Sequence, residues 1–269
     1  RVLRDQLLID GENAYDYFGS SVALNDDGDR LIVGATNNSA NGPSSGHLRI
    51  FDWNTTSNTW VQAGDDLDGE TAGDQSGYAI AINAFGNIIA SGAPNNAGSG
   101  TGSGHVRVYQ YNGSSWNQLG LNIDGEAASD FFGTSISLSA DGTILAIGAP
   151  NNDTNADDSG CIYLYKWDGN SWNIMGSRLY GNYWSENLGL CVSLSSNGNI
   201  LAIGEPSYES NSSTGNDFKK GRVSIYEFDG TSWNVLGSPI INGGNSPTSN
   251  EKESLSGYSV SLSSNGTTV

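Results

Sequence analysis

The chain has 269 residues, 37 of them glycine and only one methionine, and no apolar run is long enough to cross a membrane. Eleven basic residues stand against 29 acidic ones, a formal charge of −18. Such a surface repels a phosphate backbone and has few cations with which to displace counterions, so nucleic acid is a poor candidate partner.

The chain opens inside a repeat. Residues 1–17, "RVLRDQLLIDGENAYDY", align with "WNQLGLNIDGEAASDF" from Trp116 and read as the last strand of a preceding unit. From Phe18 comes "FGSSVALNDDGDRLIVGAT", two short strands joined by a tight turn, and the pattern returns from Ser76, Phe132, Leu188 and Ser256. Its glycine falls at Gly19, Gly77, Gly133, Gly189 and Gly257, with spacings of 58, 56, 56 and 68. The Asp-Gly or Asn-Gly pair of every copy but the second, which has Phe85-Gly86, suits the positive φ of a two-residue hairpin. The second strand, "TILAIGA" in the third copy, is nearly all apolar and is expected to be covered on both faces.

A loop of about ten polar residues follows, and then a third strand: "HLRIFDW", "HVRVYQY", "CIYLYKW" or "RVSIYEF". Another tight turn leads into a fourth strand starting at Trp60, Trp116, Trp172 or Trp233. Without helical periodicity anywhere, the reading is all-β: a β-propeller of four-stranded antiparallel blades of about 56–68 residues, each burying its core against its neighbours. The complete units are 18–75, 76–131, 132–187 and 188–255, with 256–269 a partial one. Both ends look cut from something longer, and the blades are expected to belong to a larger ring.

The phrases Phe18-Gly19 and Phe132-Gly133, with Gly92-Ala93-Pro94 and Gly148-Ala149-Pro150 and the variants Gly34-Ala35-Thr36 and Gly204-Glu205-Pro206, resemble the FG-GAP repeats of the integrin α-subunit propeller. The resemblance covers essentially the whole chain. It implies a propeller on a secreted or surface-exposed protein, in a family that mostly mediates adhesion. One family feature is missing. The calcium loop D-x-[DN]-x-D-G between the first two strands is replaced by "NDDGD", "NAFGN", "SADGT" or "SSNGN", too short and too poor in carboxylates to wrap the ion. No cofactor is therefore expected, and the one weak metal candidate is Asp153, Asn155 and Asp157 in the loop "NDTNADDSG".

No catalytic constellation is visible. His47 and His105 share one repeat position and read as parts of the blade, and no serine sits in a G-x-S-x-G elbow. The chain is thus expected not to be an enzyme, with a propeller glycoside hydrolase as the alternative, since only geometry identifies a carboxylate pair. Asp16, Asp74 and Asp130, three residues before the repeated glycine, are expected to hold the blade-to-blade crossovers by accepting backbone N–H bonds. Cys161 and Cys191 lie at non-equivalent positions and leave a disulfide open.

Binding is expected on the face carrying the long second-to-third loops and the crossovers, because rigid scaffolds place their contact residues on such loops. There Asp153, Asp157, Asp158, Tyr208, Glu209, Asp217, Lys219 and Lys220 form the expected contact surface for an extracellular protein or glycan. A lectin is the alternative, with Tyr180, Tyr183, Trp184 and Tyr208 as loop aromatics that could stack on sugar rings.

Overall fold

The computed structural model describes residues 8–208, 221–241 and 256–269. The described elements are all strands, in four antiparallel sheets that repeat one plan. The first strands are Phe18–Leu24, Ala79–Ile82, Ser135–Leu138 and Cys191–Leu194. The second strands, Arg30–Ala35, Ile88–Ala93, Ile144–Ala149 and Ile200–Glu205, pair with the third strands His47–Asn54, His105–Tyr111, Cys161–Trp167 and Arg222–Phe228. The outermost strand is broken. Thr59–Gln62, Trp116–Gln118, Trp172–Ile174 and Trp233–Val235 form one piece, and Leu67–Asp68, Ile123–Asp124, Leu179–Tyr180 and Ile240–Ile241 form a second. Both pieces pair with the same third strand.

The core lies between blades rather than inside them. Period two sends Leu145 and Ile147 against Val106 and Val108 of the blade before, while Ile144 and Ala146 pack with Val192 and Ile203 of the blade after. This is why the second strands are apolar at nearly every position and buried on both faces. The tryptophans that open the outer strands of the second, third and fourth blades bond backward. The indole N–H of Trp116 donates to the Ala63 carbonyl (2.9 Å), that of Trp172 to Leu119 (3.0 Å) and that of Trp233 to Met175 (3.1 Å).

The two repeat phrases meet at the blade interface. A Cβ on Gly34, Gly92, Gly148 or Gly204 of the second strands would collide with the carbonyl of Gly77, Gly133, Gly189 or Gly257 in the next blade. Those carbonyls belong to residues with φ between 85° and 95°, so both partners of the contact need glycine. Ser21 and Ser135 tie the same carbonyls from the first strand: Oγ donates to Gly77 O at 2.6 Å and to Gly189 O at 2.7 Å.

The turns between the first and second strands are longer than the predicted two residues, while those leading into the fourth strands of the second, third and fourth blades, such as Asp168 N to Ser171 O, enclose two. In the third blade the N–H of Ser139 donates to Ile144 O (2.9 Å) across four intervening residues, and only Gly142, at φ 76°, is left-handed. Asp141 accepts from the Ser139 hydroxyl, the Thr143 hydroxyl and the Thr143 N–H instead of adopting positive φ itself. The first residue of each such turn faces inward and links the blades around the axis. The amide of Asp26 donates to Ala84 O (3.3 Å), Ala84 to Ala140 O (3.0 Å), Ala140 to Ser196 O (2.8 Å) and Ser196 to Ser264 O (2.8 Å). These five residues, with Ile82, Leu138, Leu194 and Leu262, line an axial cavity of about 190 Å³.

Replacing Gly148 by alanine is expected to destabilise the fold by roughly 2–3 kcal/mol, because the new methyl has no room between Gly189 and Ser135. Urea unfolding measures it; an unchanged midpoint would show that the blades can part at this contact without cost.

Candidate functional site on the long-loop rim of the fourth blade

The loops before the third strands and the crossovers to the next blade interleave on one rim. Gly46 bridges Ser76, Gly104 bridges Phe132 and Gly160 bridges Leu188, each in parallel register. In the first three blades this junction holds a buried acid and amide. Asn38 donates to Asp16 (3.0 Å), Asn96 to Asp74 (3.0 Å) and Asn152 to Asp130 (2.8 Å). Each asparagine then accepts a loop N–H two residues on. The acids hold the crossover as expected: Asp74, for example, accepts the N–H and hydroxyl of Thr71. Burial pushes the Asp130 carboxyl above the usual range, while the bond from Asn152 opposes the shift.

The fourth blade breaks this rule at four equivalent positions. Glu186 stands for the aspartate, Tyr208 for the asparagine, Glu205 for the alanine of GAP, and Arg222 for the residue that is His47, His105 or Cys161 elsewhere. The result is an ion cluster. Arg222 Nη2 lies 2.9 Å from Glu186 Oε1, and its Nε donates to Glu205 Oε2 at 2.5 Å. Ser224 donates to the other Glu205 oxygen (2.6 Å), and Glu186 Oε2 accepts the N–H groups of Asn182 (2.6 Å) and Tyr183 (3.1 Å). Both glutamates have fully buried side chains.

Two buried carboxylates against one guanidinium leave an unbalanced negative charge, whose desolvation is costly. Burial, opposed by the bond from Arg222 and reinforced by neighbouring Glu186, pushes the Glu205 carboxyl up to about 7. The cluster therefore carries a proton that leaves near neutral pH. Over it lies an aromatic cover. The Arg222 guanidinium stacks 3.8 Å from the Tyr208 ring centroid, Tyr208 meets Tyr183 edge-on at 6.0 Å, and the adjacent Trp184 is 64% exposed.

Of the residues expected to bind, the structure brings Asp157, Asp158 and Tyr208 to this rim. Ser185 N donates to Asp157 O (2.9 Å) and Asn187 N to Asp158 O (3.0 Å), which stitches the acidic loop to the crossover bearing Tyr183, Trp184 and Glu186. Asp153 and Asn155 use their side chains within the fold: Asp153 accepts from the Asp158 N–H (2.7 Å), and Asn155 donates to Gly181 O (3.1 Å). Those bonds turn two of the three weak metal candidates toward backbone. Glu209, Asp217, Lys219 and Lys220 lie outside the described residues. Tyr180 is not a loop aromatic; it sits in the outer strand piece opposite Cys161, with its hydroxyl 3.4 Å from Arg178. Both cysteines are free thiols. Glu186, Glu205 and Arg222 escaped the sequence reading, although "GEP" in place of "GAP" marked the spot.

The FG-GAP repeat model matches residues 5–51 and 123–165, which include Gly19 and Gly34 of the first blade and Gly133 and Gly148 of the third. These two segments match FG-GAP repeats. No curated protein matches the sequence. Two solved structures share the fold, described as candidate 6-phosphogluconolactonases from Bacteroides uniformis ATCC 8492 and Bacteroides fragilis NCTC 9343. Each is 12% identical, with TM-scores of 0.54 and 0.53, and each alignment covers 82% of this chain and 54% of the other. The chain thus spans about half the length of the solved structures it matches. They correct the expectation that the chain is not an enzyme: the same architecture is found in proteins assigned a hydrolase activity, so missing sequence motifs do not rule one out. At 12% identity the likeness itself shows the fold alone. Among the described residues no helix is long and apolar enough to cross a membrane.

The proton on Glu205 gives a pH signature. A carboxyl raised from 4.5 to about 7 contributes stability that is fully present below pH 4.5 and lost as pH rises through 7. Melting temperature followed from pH 4 to 8 is expected to fall more steeply in the wild type than in Glu205→Gln, which keeps the neutral form throughout. Parallel curves would show that folding does not raise the Glu205 pKa.

Proposed function

We propose that this FG-GAP propeller is an extracellular or surface-exposed recognition module and that the long-loop rim of its fourth blade contacts a glycan. The observation that carries the reading is the break in the repeat. Three blades keep an Asp–Asn pair where the fourth places Tyr183, Trp184 and Tyr208 over a buried Glu186–Arg222–Glu205 base. Aromatic faces held at low conformational entropy stack on sugar rings, and a salt-bridged base underneath keeps them oriented. The loop of Asp157 and Asp158 is bonded through its backbone to the crossover that carries Tyr183 and Trp184, and its carboxylates would supply hydrogen-bond acceptors for hydroxyl groups. The FG-GAP repeats and the strongly acidic composition support a location outside the cell.

A glycan array probed with wild type and with Trp184→Ala tests the reading. Binding to a defined sugar class is expected to fall about tenfold or more in the variant, since an anchoring aromatic contributes roughly 2 kcal/mol. Unfolding should change little, because the side chain is 64% exposed. Captured glycans that the variant retains equally would move the site elsewhere. Turnover of 6-phosphogluconolactone by the purified chain would carry the activity of the fold neighbours over to it instead.

A further inference from the structure

We propose that the first blade binds a transition-metal dication, with zinc as the favoured ion, between Glu12, His47 and Asp66. This site is separate from the fourth-blade rim and does not rest on the glycan-binding proposal. His47 opens the third strand of the first blade, and its side chain is 1% exposed. Its Nδ1 is buried and has no hydrogen-bond partner. That nitrogen is aimed at carboxylates, 3.8 Å from Asp66 Oδ2 and 3.8 Å from Asp68 Oδ1. Asp68 Oδ1 is itself buried without a partner. An unpaired buried nitrogen facing an unpaired buried oxygen, both beyond hydrogen-bonding distance, is a costly arrangement unless something stands between them.

The spacing suits an ion. Donor atoms of Glu12, His47 and Asp66 all lie within 4.8 Å of one another. Ligands bonded to zinc at about 2.1 Å stand roughly 3.4 Å apart in a tetrahedral shell, so the 3.8 Å between His47 Nδ1 and Asp66 Oδ2 needs only a small closure. Asp66 is already turned the right way, because Gln62 donates to its Oδ1 at 2.6 Å and leaves Oδ2 facing His47.

Charge agrees. Glu12, Asp66 and Asp68 contribute three negative charges, and an imidazole that ligates a metal is neutral and contributes none. Arg49, whose Nε is 3.7 Å from Asp66 Oδ1, offsets one, and Arg107, shared between Asp68 and Glu70, offsets part of another. A net negative charge remains, which suits a cation. One imidazole with carboxylates favours zinc and its neighbours over calcium, which takes six to eight oxygens. Glu12 is exposed and marks the way in.

The other blades show what fills this place when an ion does not. In the third blade the position of Asp66 is Arg178, whose guanidinium bonds directly to Glu126, the counterpart of Glu12. In the second blade it is Asn122, which donates to Glu70 at 3.1 Å; His105 Nδ1 stays unpaired there, 3.6 Å from Glu70 Oε2, with no third carboxylate at the position of Asp66. In the fourth blade the position of His47 is Arg222. Where the third and fourth blades supply a cation of their own, the first supplies a third acid.

Tag-free protein stripped with a chelator and titrated with zinc by calorimetry tests the site. One equivalent is expected to bind, and melting temperature to rise with zinc concentration. Glu12→Gln, at an exposed position that leaves folding intact, and Asp66→Asn are each expected to weaken binding about tenfold or more, while His105→Gln leaves it unchanged. The absence of a saturable 1:1 step in the wild type overturns the proposal, as does full affinity in the Glu12→Gln, Asp66→Asn double variant.

Discussion

Every blade interface depends on one close approach, the carbonyl of the FG glycine laid against the Cα of the GAP glycine in the preceding blade. Backbones that meet this closely exclude any side chain between them, and the rest of the packing takes its spacing from that contact. It brings the second strand near enough to its neighbours for Leu145 and Ile147 to bury on one side and Ile144 and Ala146 on the other. It also brings the indoles of Trp116, Trp172 and Trp233 within hydrogen-bonding reach of the preceding blade. The repeat's two signature phrases are two halves of one contact.

What the sequence made legible follows from this. A residue recurring in every blade serves the blade, so the glycines, the tryptophans and Asp16, Asp74 and Asp130 could be read for structure from periodicity alone. The all-apolar second strand likewise announced burial on both faces. Two local features could not be read that way. The turn at Asp141-Gly142 encloses four residues rather than two, and the amide of Ala140 within it is used across the axis, by Ser196 of the next blade. The outer strand breaks at residues 63–66, and this break carries Asp66 toward His47.

The sites are legible only as departures from the repeat, and departures need the fold to interpret them. Glu205 in "GEP" looked like a variant until Glu186, from the crossover, and Arg222, across the sheet, were seen to close on it. His47 looked like its counterpart His105 because the difference lies in their neighbours, Asp66 against Asn122. Repetition sets a background against which single substitutions become chemical statements, but the statement is made between residues far apart in the chain.

The chain of amides around the axis has a further consequence for how such a protein can change. Each link is at once donor to one blade and acceptor from another, so one inserted residue in an axial turn disturbs three blades together. An insertion before a third strand is felt chiefly by its own blade. Drift in length is thereby channelled toward the opposite rim by geometry alone, before any ligand selects it. One rim keeps the count of the ring while the other is free to vary what it presents.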